Sequence, residues 1–255
     1  MSRYYFLAAS LPMLTLGERP HLSFDELQES FLLNLGKKDF EKMRVFLRQA
    51  DLYNVRALLL GLPFDLRGNF SEGELEEALL VRSFLPAYVF DFLETYETPF
   101  QRVEHFHALI SRYFHEELAH QKGFLKSYLE FERQWRLVFL GLRAKGAKRD
   151  LAKELEHEDP HDPLVQRLLA QKEAFEPPFE YRDLKEKLIS CGADPWEHYK
   201  MLALYRFQKI EELITRAAFS FDAILGYTAR LLIAENWADL DEKKGREVLH
   251  TFNVG

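Results

Sequence analysis

One cysteine, Cys191, stands in 255 residues, so no disulfide framework can form within the chain, and the thiol count fits a reducing compartment. No run approaches the roughly 18 consecutive apolar residues of a membrane-spanning helix. No Gly-rich loop ends in Lys-Ser or Lys-Thr, and no Gly-x-Ser-x-Gly elbow occurs. These absences exclude a P-loop nucleotide site and the hydrolase nucleophile turn. Basic residues are outnumbered, 34 against 41 acidic, for a net charge of −7. That balance argues against a broad nucleic-acid surface. The basic stretch Arg143-Ala-Lys145-Gly-Ala-Lys148-Arg149 lacks interleaved aromatics and reads as a solvated turn where cations complement a helix C-terminus. Strand-like alternation is missing as well.

What is present is helical periodicity. Hydrophobic content of 47% with 29% charged residues is ordinary for a globular protein, and the length is ample for an autonomous core. Ser23-Phe-Asp-Glu26 and Ser71-Glu-Gly-Glu74 fit the N-terminal capping box, and Thr98-Pro99 fits a cap followed by proline at the first helical position. The pattern predicts helices near 24–34, 38–61, 72–81, 84–96, 99–121, 123–145, 148–157, 163–174, 181–190, 195–217, 220–235 and 239–252. The expected fold is all-α, a single helical domain over 1–255 with candidate lobes 23–96, 97–175 and 176–255. Residues 1–12 carry a basic residue before a short apolar run, and Pro12 cuts that run below signal-peptide length. A buried N-terminal arm is the expectation.

The most informative segment is Asp51-Leu-Tyr-Asn54-Val-Arg-Ala-Leu58-Leu59. A stripe of Phe40, Met43, Leu47, Ala50, Asn54, Ala57 and Gly61 advances in steps of three and four, which sets Asn54 in a seam facing a neighbouring helix. Asn and Asp compete for the backbone and form helices poorly, so a pair on a packed face implies a specific hydrogen bond. Moving 82 residues on, Phe46-Leu47, Tyr53 and Val55 correspond to Tyr128-Leu129, Trp135 and Leu137, while Ala50 and Asn54 correspond to Glu132 and Arg136. The second copy exchanges an amide for an i,i+4 ion-pair candidate, Glu132 with Arg136. A fainter third copy is Ile224-Leu225-Gly226-Tyr227 leading into Glu235-Asn236-Trp237.

Glu precedes His by three residues at Glu104/His107, Glu117/His120, Glu154/His157 and Glu247/His250, the spacing used in carboxylate-bridged di-iron bundles. The first two pairs fall on one predicted helix about 20 Å apart, too far to share an ion unless that helix breaks. His115 and His120 are five residues apart, whereas a zinc-protease helix needs four. Cys191 precedes a helix beginning near Trp196, where a thiolate can be activated, and Asp194 as N-cap explains the same residues without chemistry. No catalytic, cofactor-binding or metal-ligating residue is assigned from sequence. Asp51, Asn54, Glu132 and Arg136 are assigned a structural role in the seam.

The helix Leu47-Arg-Gln-Ala-Asp51-Leu-Tyr-Asn54-Val-Arg-Ala-Leu58-Leu59 resembles the Asp-x-x-Asn-Leu-x-x-Leu-Leu helix of the C subunit of archaeal-type rotary ATPases, the equivalent of the vacuolar d subunit. The helix around Tyr128-Leu129, Glu132 and Trp135-Arg136 is similar to that family's second copy, with Arg136 standing where the repeat would carry Asn. More closely, Tyr4-Tyr5-Phe-Leu-Ala-Ala-Ser10-Leu11-Pro12, Phe131-Glu132-Arg-Gln-Trp135-Arg136 and Gly141-Leu-Arg-Ala-Lys145 resemble the DUF2764 family, whose members are encoded beside V-type ATPase subunits in bacteria lacking a recognisable C subunit. The resemblance implies a funnel of helical lobes, cytoplasmic and peripheral at the inner membrane face. There it would join the rotor shaft to the membrane ring of a V/A-type ATPase and do no bond chemistry itself. An assembly factor or adaptor for that machine is the neighbouring alternative, and a metal-dependent helical enzyme is the alternative from another class.

Overall fold

Several helices begin where the chain supplies a side chain for their orphan amides. Ser23/Glu26, Ser71/Glu74 and Thr98/Gln101 all form reciprocal capping boxes, and Asp150, Asp162 and Asp194 accept from the first turns that follow them. The computed structural model describes residues 4–171, 175–192, 194–214 and 219–239. Among the described residues the chain is all-α, with no strand. Its helices are α1 (Tyr5–Ser10), α2 (Phe24–Asn34), α3 (Lys37–Leu60), α4 (Glu72–Val81), α5 (Ala87–Thr95), α6 (Pro99–Glu104) and α7 (Phe106–His120). They continue as α8 (Gly123–Gly146), α9 (Leu151–Glu154), α10 (Pro163–Leu169), α11 (Arg182–Ser190), α12 (Pro195–Leu213) and α13 (Phe221–Asp239), with a 3-10 turn at Phe179–Tyr181. No helix among the described residues is long and apolar enough to cross a membrane.

The chain divides into two compact units, one made of Met1–Gly36 with Phe179–Gly255 and the other of Lys37–Pro178. In the second unit α7 is the hub. It packs against α3, α5 and α8, and buries Phe106, Leu109, Ile110, Tyr113 and Phe114. On α8, Phe124, Tyr128, Phe131, Trp135 and Val138 are buried at helical spacing. Gly141 lets the ring of Phe175 lie against α8, since a Cβ there would come within 2.3 Å of that ring. In the first unit α12 and α13 pack along each other, α11 lies on α12, and α2 on α13.

Several boundaries differ from the sequence expectation for local reasons. The helix expected over 99–121 is two, because His105 takes φ −96° and ψ 19° and its ring stacks on Tyr96. The helix expected at 84–96 starts at Ala87, since Phe84 sits at φ +66° and Pro86 disfavours helical geometry before it. The 148–157 segment holds only the single turn α9. The N-terminal arm is the short helix α1, which buries Leu7 and exposes Phe6. The helix expected over 239–252 lies outside the described residues, apart from its first residue at the end of α13.

Polar side chains join the helices around the hub. Arg48 of α3 pairs with Glu117 of α7, and Tyr88 of α5 donates to the same carboxylate at 3.3 Å. Glu117 is 7% exposed, so its charge depends on Arg48 rather than on water. Replacing Arg48 by Ala strands that carboxylate and should cost about 3 kcal/mol in urea unfolding, whereas a change of a few tenths would contradict the pairing.

Candidate functional site

Asp51 and Asn54, both 1% exposed, point from α3 at the segment that returns after the helix ends. Asn54 donates from Nδ2 to the Asp65 carbonyl and accepts from the Asp65 amide, both at 2.8 Å. Asn69 donates to Asp51 twice, from its amide to Oδ1 and from Nδ2 to Oδ2, each at 2.6 Å. The loop is braced in turn by Arg67, whose Nε donates to Asp65 Oδ1 at 2.7 Å. Gly68 passes so close that a Cβ on it would stand 2.4 Å from Asp51 Oδ1. Asn54 therefore faces a loop, where the seam reading had placed a neighbouring helix. The stripe also stops before Gly61, which is exposed and takes φ +63° as the helix ends.

The same device recurs on α8 with the charges reversed. Arg136 pairs with Glu158, and Arg133 reaches Glu158 at 3.6 Å and Asp162 at 3.0 Å. Arg136 thus spends its guanidinium on a residue of the following loop, in place of the intrahelical pair with Glu132 expected from the sequence. Glu132 is buried on the same helix. Arg133 is the residue that sequence reasoning missed, although the 82-residue offset carries Asp51 onto it. Lining up Tyr53, Trp135 and Trp237 places Asp51, Arg133 and Glu235 in one register, two residues before an aromatic. Glu235 of α13 accepts from the Phe24 amide at 2.6 Å. All three residues hold the lead-in to another helix: Asn69 stands two before the Ser71 cap of α4, Asp162 is the cap of α10, and Phe24 is the first residue of α2.

Among the cavities lined by described residues of the unit Lys37–Pro178 are two with contrasting walls. One, of about 390 Å³, is lined by polar groups including Ser111, Arg112, His115, Arg133, Glu156 and His157. The other, of about 570 Å³, is an apolar groove between α3, α4 and α5 with Leu58, Leu79, Leu80 and Phe90 on its walls. Of the Glu-x-x-His pairs, Glu117 is taken by Arg48 and Glu154 by Arg149, while the Nδ1 of exposed His120 lies 2.8 Å from the Glu116 carbonyl. Glu247/His250 lies outside the described residues. His107 and His120 both stand on α7, so the break at His105 does not bring those two pairs together. The histidines that do meet are His105 and His157, at 5.6 Å between ring centroids. Cys191 ends α11, donating from Sγ to the Lys187 carbonyl at 3.2 Å, and the cap of α12 is Asp194, which accepts from Trp196 at 2.9 Å.

Burial pushes the Asp51 carboxyl up to about 6, with the Asn69 donors opposing the shift. Its folded-state proton is held more tightly than in the unfolded chain, where the ordinary value is near 3.8, so this contribution is complete below about pH 4 and is lost as pH rises through about 6. Wild-type unfolding free energy should accordingly fall relative to Asp51→Asn between those two pH values, and a flat difference would contradict the assignment. Asn54→Ala, which orphans the Asp65 amide and carbonyl, should cost about 2 kcal/mol, and Gly68→Ala should destabilise by displacing the Asp51 carboxylate. Urea titration of the three variants measures all of this.

Comparison with known proteins follows the whole chain. It is similar to uncharacterized proteins of Chlamydia muridarum, 28% identical over 263 residues, and of Chlamydia trachomatis serovar D, 29% identical over 266 residues. In both cases the match covers 100% of this chain and 99% of the relative. An uncharacterized protein of Chlamydia pneumoniae is 29% identical over 258 residues, covering 98% of this chain and 97% of that one. No solved structure matches it. The family model described as a protein of unknown function, DUF2764, matches residues 1–255, and the chain belongs to that family.

Proposed function

We propose that this chain is a non-catalytic central-stalk subunit of a bacterial V/A-type ATPase, coupling the rotor shaft to the membrane ring. The observation that carries the reading is the threefold recurrence of one device. Asp51, Arg133 and Glu235 each sit two residues before an aromatic on a long helix and hold the lead-in to another helix. A C-subunit-like funnel is built from repeated helical lobes, and the three-lobe division of the chain is part of this proposal. Partly buried charge pairs and capped helix starts give stiffness, which torque transmission requires. On this reading the protein is cytoplasmic and peripheral, held at the inner face of the membrane by the other ATPase subunits, and it contacts no nucleic acid.

Purification of the intact ATPase from the native bacterium tests this. The chain should co-purify in fixed stoichiometry with the shaft and ring subunits, and density for it should lie between them. An intact, fully coupled ATPase that lacks the chain would sink the proposal, and recovery only with partly assembled complexes would make it an assembly factor instead.

A further inference from the structure

Of the polar clusters in the described residues, one joins imidazoles from distant parts of the sequence. His105 stands at the junction of α6 and α7, and Glu156-His157 lies in the loop between α9 and α10. A nitrogen from each histidine and a carboxylate oxygen of Glu156 all lie within 4.8 Å of one another. Within that group Glu156 Oε1 is 3.4 Å from His157 Nε2. Tetrahedral arms of about 2.0–2.1 Å put neighbouring ligand atoms roughly 3.3–3.4 Å apart, so one edge of a zinc tetrahedron is already set. Rotation of the half-exposed Glu156 side chain and of the His157 ring closes the remaining separations to His105.

The surroundings hold this geometry in place. Tyr96 stacks on the His105 ring at 4.6 Å and 16°, which fixes its plane. Ser111 donates to the His157 carbonyl at 2.8 Å, and Arg133 and Arg136 grip the adjacent Glu158, so the backbone carrying Glu156 and His157 is pinned from two helices. Glu156 and His157 also line the 390 Å³ polar cavity, which gives an ion there room for water in a fourth position.

We propose that His105, Glu156 and His157 form a binding site for a divalent transition-metal cation of the zinc class. Two imidazoles and one carboxylate are the donor set that suits zinc and disfavours calcium and magnesium, which demand oxygen ligands. Bound metal would cross-link the α6–α7 junction to the loop that α8 clasps. This site is independent of any ATPase association, and its test does not involve one.

The full chain, purified without a histidine tag and stripped with chelator, is titrated with Zn2+ alone against a competing chromophoric chelator. One equivalent should bind. His105→Ala and Glu156→Gln should each weaken it by at least about tenfold, a loss seen even for groups one shell removed from a metal. His120→Ala and His161→Ala, at exposed positions, should leave it unchanged. Mg2+ should not compete. Glu156 is exposed enough for its amide variant to fold, which circular dichroism checks, so the test survives if His105→Ala does not fold. The proposal is overturned by a failure to bind one equivalent of Zn2+, by binding that Glu156→Gln leaves intact, or by equal losses in the His120 and His161 variants.

Discussion

Burying Asp51 and Asn54 inside a helix face is the constraint on which the surrounding structure depends. A carboxylate and an amide removed from water must find partners or cost several kcal/mol between them. Here the partners are backbone and side-chain groups of one loop, Asp65 to Asn69. Satisfying them fixes where the chain turns back after α3, how closely Gly68 approaches and where α4 starts. Arg48, one turn before Asp51, extends the same polar set to Glu117 on the central helix α7 and so to Tyr88 on α5. A defect in the clasp is therefore felt across the unit.

The second clasp shows the same problem solved with different chemistry. On α8 the buried amide and acid give way to two arginines, and the returning loop supplies the carboxylates Glu158 and Asp162. Both solutions tie a loop to a long helix at positions three residues apart. A protein that keeps the geometry while exchanging the residues is conserving an architecture, which is why the stalk proposal rests on these contacts rather than on a cavity.

The capped helix starts were legible because capping boxes are local signals, and Ser23, Ser71 and Thr98 all cap as their sequence requires. The oddity of Asp51 and Asn54 was legible too, since polar residues on an apolar face demand partners. Their partner was not. A loop that returns eleven or eighteen residues later leaves no periodic trace, and a small-residue stripe points equally to a helix or to backbone. The contact of Arg136 with Glu158 was not legible, because i,i+4 geometry is visible in sequence and a contact 22 residues away is not. The meeting of His105 with His157 depends on the break at His105, which carries no proline or glycine to announce it.

Side chains of the long helices, buried or partly buried, hold the segments leading into other helices. Native-state hydrogen exchange at the Asp65 and Asn69 amides tests it most directly, because both donate to side chains on α3 and neither belongs to a helix. These two amides should exchange as slowly as the interior amides of α3, and Asn54→Ala should release Asp65 selectively. Exchange of both at the rate of an open loop would contradict it.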